Sequence, residues 1–173
     1  GQGLYVMPGE DTSYAWKGWI PMADNPHVLN PAQGFIQSAN QRPVDSTYPY
    51  FIPGDYFTPR GVAVHQQLSV MQNITPQDMM KLQNNVYSTL AADAVPFLLS
   101  HIDSSYVNDE EWKYLDELKN WNYRVTAESI APTIYQTWFD SLEKVIWRDE
   151  FSTVGKTVVY PSEQTLFEVL KRD

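Results

Sequence analysis

A chain of 173 residues, 43% of them hydrophobic and with a formal net charge of −9, has apolar material for one domain or for one and a half packing units. Its acidic balance argues against nucleic acid or an anionic membrane surface as a partner. The absence of cysteine excludes disulfide frameworks, thiolate zinc sites and cysteine nucleophiles from this chain, and the lack of any apolar run of about 18 residues means that no membrane span is predicted.

The opening residues from Gly1 to Asp11 carry neither a basic start nor an apolar core, so no signal peptide is expected there. There is no initiator Met, and Leu4 to Met7 already read as a strand, so the chain is expected to be an interior piece of a longer protein. Residues 1–58 hold most of the Gly and Pro. In them Leu4 to Met7, Trp16 to Ile20 and Gly34 to Ala39 read as short strands, separated by turn chemistry such as Pro8-Gly9 and Pro53-Gly54. In the last of these runs Phe35, Gln37 and Ala39 should face one way and Ile36, Ser38 and Asn40 the other.

From Pro59 onward the pattern is helical. Thr75-Pro76-Gln77-Asp78 is a helix start, with Thr at the N-cap, Pro at the first position and an acid in the first turn. Met79, Leu82, Val86 and Leu90 then fall on one face. Asn108 with Glu111 opens a second helix as a capping box, ahead of Trp112, Leu115 and Leu118. A third helix is expected from about Ser129, where Pro132 is tolerable in the first turn, with Ile134, Trp138, Leu142 and Val145 or Ile146 as its buried stripe. A last helix begins near Ser162 and its pattern stops without a cap. The expected fold class is therefore α+β: a strand and loop segment over 1–58, followed by a mostly α-helical domain over 59–173.

The informative stretch is Asn30-Pro31-Ala32-Gln33-Gly34-Phe35-Ile36-Gln37-Ser38-Ala39-Asn40-Gln41, followed about twenty residues later by Thr58-Pro59-Arg60-Gly61. Asn-Pro, two residues and Gly, then a hydrophobic run ending in Ala-Asn and a polar residue, with an arginine downstream at a helix start, resembles the β-chain of the penicillin acylase family of N-terminal-nucleophile hydrolases. ITPQDMMKLQNNVYS and LKNWNYRVTAESIAPTIYQTWFDSL resemble later helical segments of the same family, in the same order. Any one of these motifs is weak; their consistent order along nearly the whole chain is specific.

The resemblance implies that the short strands belong to the hydrolase sheet. It also implies a serine, exposed by self-cleavage of a precursor, that attacks an amide carbonyl with its own α-amino group as base. Asn40 would donate to the tetrahedral oxyanion through its uncharged side-chain amide. Arg60 would orient Asn40 or the α-amino group. Gly1 cannot be the nucleophile, so that residue is expected upstream and this chain alone should be inert. The resemblance further implies an N-acyl small-molecule substrate, the α-chain and the rest of the β-chain as partners, and a periplasmic or secreted location. No cofactor is expected in this chain. Calcium is possible in the full-length family member, although Asp24, Asp45 and Asp55 do not form a hard-cation loop pattern.

Other readings stand beside these. Asn40 taken alone is a turn residue, and Arg60 has Asp55 or Glu10 as alternative surface partners. His27, His65 and His101 are too far apart for a paired ligand motif and read as ordinary surface or satisfied histidines. The paired acids Glu110-Glu111, Asp116-Glu117 and Asp149-Glu150 suit helix starts and solvent faces better than a glycosidase cleft. Trp16, Trp19, Tyr48, Tyr50, Phe51 and Tyr56 flank the Asn40 segment as core or as acyl-pocket lining. A non-catalytic aromatic-rich binding module, for a glycan or a protein, is the alternative function, and it expects exposed, coplanar aromatic rings in the first third of the chain.

Overall fold

The computed structural model describes residues 6–54, 56–152 and 160–172, and the chain forms two units, Gly1–Gln72 and Asn73–Asp173. The first unit has one long element, α1 (Thr58–Val70), with Pro59 in its first turn. Before it run irregular segments punctuated by single 3-10 turns at Thr12–Tyr14 and Met22–Asp24. Asp11 caps the first of these turns by accepting from the Ser13 amide at 2.8 Å.

The α+β expectation is corrected here: among the described residues there is no strand, and the architecture is all-α. Of the expected strands, Leu4 and Tyr5 lie outside the described residues, while Val6, Met7, the Trp16 to Ile20 run and the Gly34 to Ala39 run are irregular. The physical reason is the missing ladder. A strand exists only when a neighbour takes its N–H and C=O groups, and Trp16 and Trp19 stand 74% and 87% exposed with no sheet beneath them. The alternation read from Phe35 to Asn40 does persist: Phe35, Gln37 and Ala39 are half-buried, and Ile36, Ser38 and Asn40 are exposed.

The second unit is a helical bundle of α2 (Pro76–Gln83), α3 (Thr89–Ser100), α4 (Asp109–Lys119), α5 (Ala131–Phe151) and α6 (Glu163–Leu170). Both helix starts form where the sequence indicates: Asn108 with Glu111 opens α4 as the expected capping box, and Thr75 caps α2 and is joined by Asp78 in a second such box. Ser162 caps α6 by accepting from the Thr165 amide at 3.3 Å. One expectation fails. Met79, Leu82, Val86 and Leu90 do not share a helix, because α2 ends at Gln83 and Leu90 belongs to α3. Two consecutive asparagines break it: Asn84 turns its side-chain amide back onto the Met80 carbonyl at 2.8 Å, and the Asn85 side chain accepts from the Tyr87 amide at 3.2 Å. Such local bonds compete with helix continuation.

The core of this unit gathers Leu90, Ala91, Ala94, Val95 and Leu98 from α3, Leu118 from α4, Trp121 from the segment after α4, Ala131, Tyr135 and Phe139 from α5, and Leu166 and Phe167 from α6. The Trp121 indole donates to the Arg124 carbonyl at 3.0 Å. The segment that follows is tied to the residues just before α3 by an isolated antiparallel bridge between Tyr87 and Arg124.

Two stability predictions arise from these elements. Thr75 donates both its backbone and its hydroxyl hydrogen to the Asp78 carboxylate, at 3.0 and 2.6 Å, and these bonds hold that carboxyl below the usual carboxylate range. A lowered folded-state pKa contributes stability above the ordinary carboxylate value, lost as pH falls through the folded value. Thr75→Ala is expected to cost about 1 kcal/mol at neutral pH as a lost cap. In urea unfolding the gap from the wild type should narrow below about pH 4.

Tyr135 is 5% exposed, and its hydroxyl has no partner among the described residues. Burial, with a smaller push from the Glu163 charge, raises its pKa well above the ordinary tyrosine value. Its share of stability is therefore complete below about pH 10 and is lost as pH rises further. Tyr135→Phe removes a buried group that has given up water for nothing, and should raise the unfolding free energy by about 1 kcal/mol. The variant should also unfold less readily than the wild type at alkaline pH.

Candidate functional site

The site is built where the segment from Asn30 to Gln41 meets the first turn of α1, within the first unit. Asn30 has a left-handed backbone (φ 49°), and Gly34 closes the following turn by donating its amide to the Pro31 carbonyl at 2.9 Å. Gly34 stands at φ 78°, a conformation that costs most other L-residues about 1 kcal/mol or more, so the Asn-Pro-x-x-Gly frame is a turn whose last position favours glycine. After the turn the Phe35 ring reaches His65 on α1, with ring centroids 5.4 Å apart.

The segment ends at Asn40, which also adopts a left-handed backbone, φ 63°. Asparagine is among the few residues that tolerate this region, so the turn reading of Asn40 is correct as far as it goes. Its carbonyl accepts from the Phe57 amide at 3.1 Å, which ties the turn to the residue preceding α1. Its side-chain oxygen accepts from Arg60 Nη1 at 2.8 Å. Arg60 is in the first turn of α1, where the helix dipole favours acids, so a cation there runs against the local preference. Among the described residues the ion pairs are Lys81 with Asp78 and Lys171 with Glu168; Arg60 pairs with neither Glu10 nor any other described acid, and Asp55 lies outside the described residues.

The Arg60 bond fixes the direction of the amide. A guanidinium has donors only, so the face of Asn40 turned to it must be the oxygen. The two N–H groups on Nδ2 are thereby aimed away from Arg60, and both side chains lie at the exposed surface of the unit. The arrangement offers an uncharged pair of donors, on a turn bonded at its oxygen and at its backbone carbonyl, to an acceptor arriving from outside.

Sequence reasoning missed the support beneath this turn. Gln41 accepts from the Ala39 amide at 2.6 Å and donates to the Gln37 carbonyl at 3.1 Å. Gln37 in turn donates to the Gly61 carbonyl at 3.2 Å. Gly61 is buried, and a Cβ there would lie 3.0 Å from that of Gln41, so any other residue would make the Gln41 side chain give way by a few tenths of an ångström. The available signal was adjacency: Gln41 follows Asn40, and Gly61 follows Arg60.

The remaining candidates scatter. Tyr48 donates to the Asp24 carbonyl at 2.6 Å and Tyr50 to the Asp24 carboxylate at 2.9 Å, pinning the Met22–Asp24 turn. That carboxylate raises the Tyr50 pKa. Tyr56 lies under the Arg42 guanidinium, 5.3 Å from ring centroid to Arg42 Cζ. Trp16 and Trp19 are exposed and in contact but cross at 83°, and Tyr48 and Tyr50 cross at 68°; neither pair is the coplanar platform expected of the binding-module alternative. His27 and His101 are bonded to nearby backbone carbonyls at 2.8 Å, and His65 packs on Phe35. No helix among the described residues is long and apolar enough to cross a membrane.

Comparison with known proteins defines the class. Residues 1–173 match the penicillin amidase family, and the chain belongs to that family. Relatives include an acyl-homoserine lactone acylase QuiP of Pseudomonas putida, 31% identical over 91 residues, which are 53% of this chain and 11% of that protein. The QuiP protein of Pseudomonas aeruginosa is 24% identical over 163 residues, covering 87% of this chain and 19% of that protein. The penicillin acylase 2 proenzyme of a Pseudomonas species (strain SE83) is 35% identical over 57 residues, 33% of this chain and 7% of the proenzyme. The chain thus spans about a fifth or less of the length of these curated relatives. No solved structure matches it.

Proposed function

We propose that this chain is the oxyanion-stabilising part of an amide hydrolase that cleaves N-acyl substrates with a nucleophile supplied by residues outside the chain. The observation that carries the proposal is the 2.8 Å bond from Arg60 to the Asn40 side-chain oxygen, which turns the Asn40 N–H groups outward. The relatives' names support the class of substrate, since one is an acyl-homoserine lactone acylase and another a penicillin acylase made as a proenzyme.

In this reading the nucleophile, an N-terminal serine freed from a precursor, adds to the amide carbonyl, and negative charge collects on the carbonyl oxygen. Asn40 donates to that oxygen from a position fixed before the reaction begins, which is where such donors gain most over water. The collapsing intermediate expels the amine, and water later releases the acid. Arg60 does not touch the substrate. It holds the amide oxygen and keeps a positive charge near the developing oxyanion. The remaining parts of the precursor complete the substrate pocket.

The test is hydrolysis of a chromogenic acyl-anilide and of an N-acyl-homoserine lactone by the full-length protein and its Asn40→Gly variant, glycine being free in the left-handed region that Asn40 occupies. A collapse of the rate on either substrate supports the proposal. Equal rates in the two proteins on every substrate cleaved would remove Asn40 from the oxyanion role.

A further inference from the structure

We infer that Gln41 is a positioning residue for the amide-hydrolysing site: its side chain replaces a neighbouring strand by taking two backbone groups of the segment that leads into Asn40, and so sets where the Asn40 donors lie. The inference rests on the oxyanion role proposed for Asn40.

The groups concerned are the Ala39 amide and the Gln37 carbonyl. Bonded by another strand they would form part of a ladder, but here both are bonded by one side chain, at 2.6 and 3.1 Å. Gln41 therefore staples residues 37 to 41 into a closed loop whose exposed apex is Asn40. The loop is docked from the other side by the Gln37 bond to the Gly61 carbonyl and by the bare Cα of Gly61 against the Gln41 stem. Arg60, one residue earlier on the same helix, reaches Asn40 itself. The helix thus holds the amide through Arg60 and the turn beneath it through Gly61, with Gln41 between the two. Beyond the Arg60 bond, the left-handed asparagine at this exposed apex is fixed, among the described residues, by the bond its carbonyl accepts from the Phe57 amide. Without the Gln41 bonds the Ala39 amide and the Gln37 carbonyl turn to water, and the apex gains freedom that a preorganised donor cannot tolerate.

The experiment uses the full-length enzyme and compares Gln41→Ala, Gln41→Met, Asn40→Gly and the Gln41→Met/Asn40→Gly pair. Methionine keeps the length and the contact with Gly61 while losing both hydrogen bonds, so it guards against a variant that fails for lack of packing. Gln41→Met is expected to lower kcat by about tenfold to a hundredfold, with KM and the thermal midpoint nearly unchanged. In the Asn40→Gly background it should lower kcat no further, since a residue that acts through Asn40 has nothing left to position. Wild-type kcat in a folded Gln41→Met enzyme would overturn the inference, as would an equal loss in both backgrounds, which marks a general structural role. If Asn40→Gly itself keeps the wild-type rate, the oxyanion proposal fails. If Asn40→Gly collapses and Gln41→Met does not, only the positioning role fails.

Discussion

Replacing Asn40 by aspartate in the full-length enzyme is expected to lower kcat by about a hundred to a thousand fold, the usual loss of one oxyanion donor. Aspartate is the informative substitution because it preserves the rest of what the structure shows at this position. It tolerates the left-handed backbone at φ 63° nearly as well as asparagine, and it still offers Arg60 an oxygen in place of the 2.8 Å acceptor. It lacks the two N–H groups, and it places a negative charge where the reaction builds another. Glycine is the complementary control. It is free in the left-handed region and has no amide, so a residue needed only for the turn would be replaced by glycine without loss. Alanine alone cannot separate the two, because it lacks the short polar side chain by which asparagine and aspartate tolerate that region, where other L-residues pay about 1–2 kcal/mol. Losses of similar size in Asn40→Asp and Asn40→Gly, about 2.7–4 kcal/mol in barrier height, are the expected result. A glycine variant at wild-type rate would reduce Asn40 to a turn residue.

That choice of variants shows how far the site was legible from the chain alone. Asn40 and Arg60 could be paired because a family pattern places them about twenty residues apart, and the structure brings them to hydrogen-bonding distance. The left-handed backbone of Asn40 follows from no spacing rule; it is a property of how the turn closes. The Gln41 staple was hidden for a related reason. Alternation from Phe35 to Asn40 is a statement about which side each side chain faces, and the exposures agree with it. Whether the backbone groups are paired by a strand or by a side chain leaves the alternation unchanged, so a strand was inferred where a side-chain amide does the pairing. Helix starts were more readable, since caps are local chemistry: Thr75 with Asp78, Asn108 with Glu111 and Ser162 all sit where the sequence put them. The end of α2 was misread because hydrophobic periodicity runs straight through Asn84 and Asn85, while two short amides compete with the next turn of helix.

The buried face of α5 was legible only to within one residue, and that residue carries the largest stability effect expected. The sequence stripe Ile134, Trp138, Leu142 and Ile146 does pack against the core, while Val145, the alternative to Ile146, is 63% exposed. The most buried positions are the neighbouring row Ala131, Tyr135 and Phe139. Side chains at successive positions lie about 100° apart, so a helix in a bundle with several neighbours buries an arc wide enough for both rows. Phe139 is 1% exposed and stacks obliquely on Tyr135, with centroids 5.5 Å apart. Phe139→Ala removes a ring from the buried cluster that α5 shares with α3, α4 and α6, whose side chains cannot all move in to fill it. The expected cost is about 3–5 kcal/mol, transfer and cavity terms together, a large share of the roughly 5–15 kcal/mol that holds a typical domain folded. It should appear as early loss of hydrogen-exchange protection across α3 to α6 in urea. Trp112→Ala makes the comparison: that ring is larger but 40% exposed on α4, and it should cost much less. If Trp112→Ala proved the more damaging of the two, the core would have to be centred on α4 rather than on the Phe139 row, and the helix would be turned by about one residue from its position here.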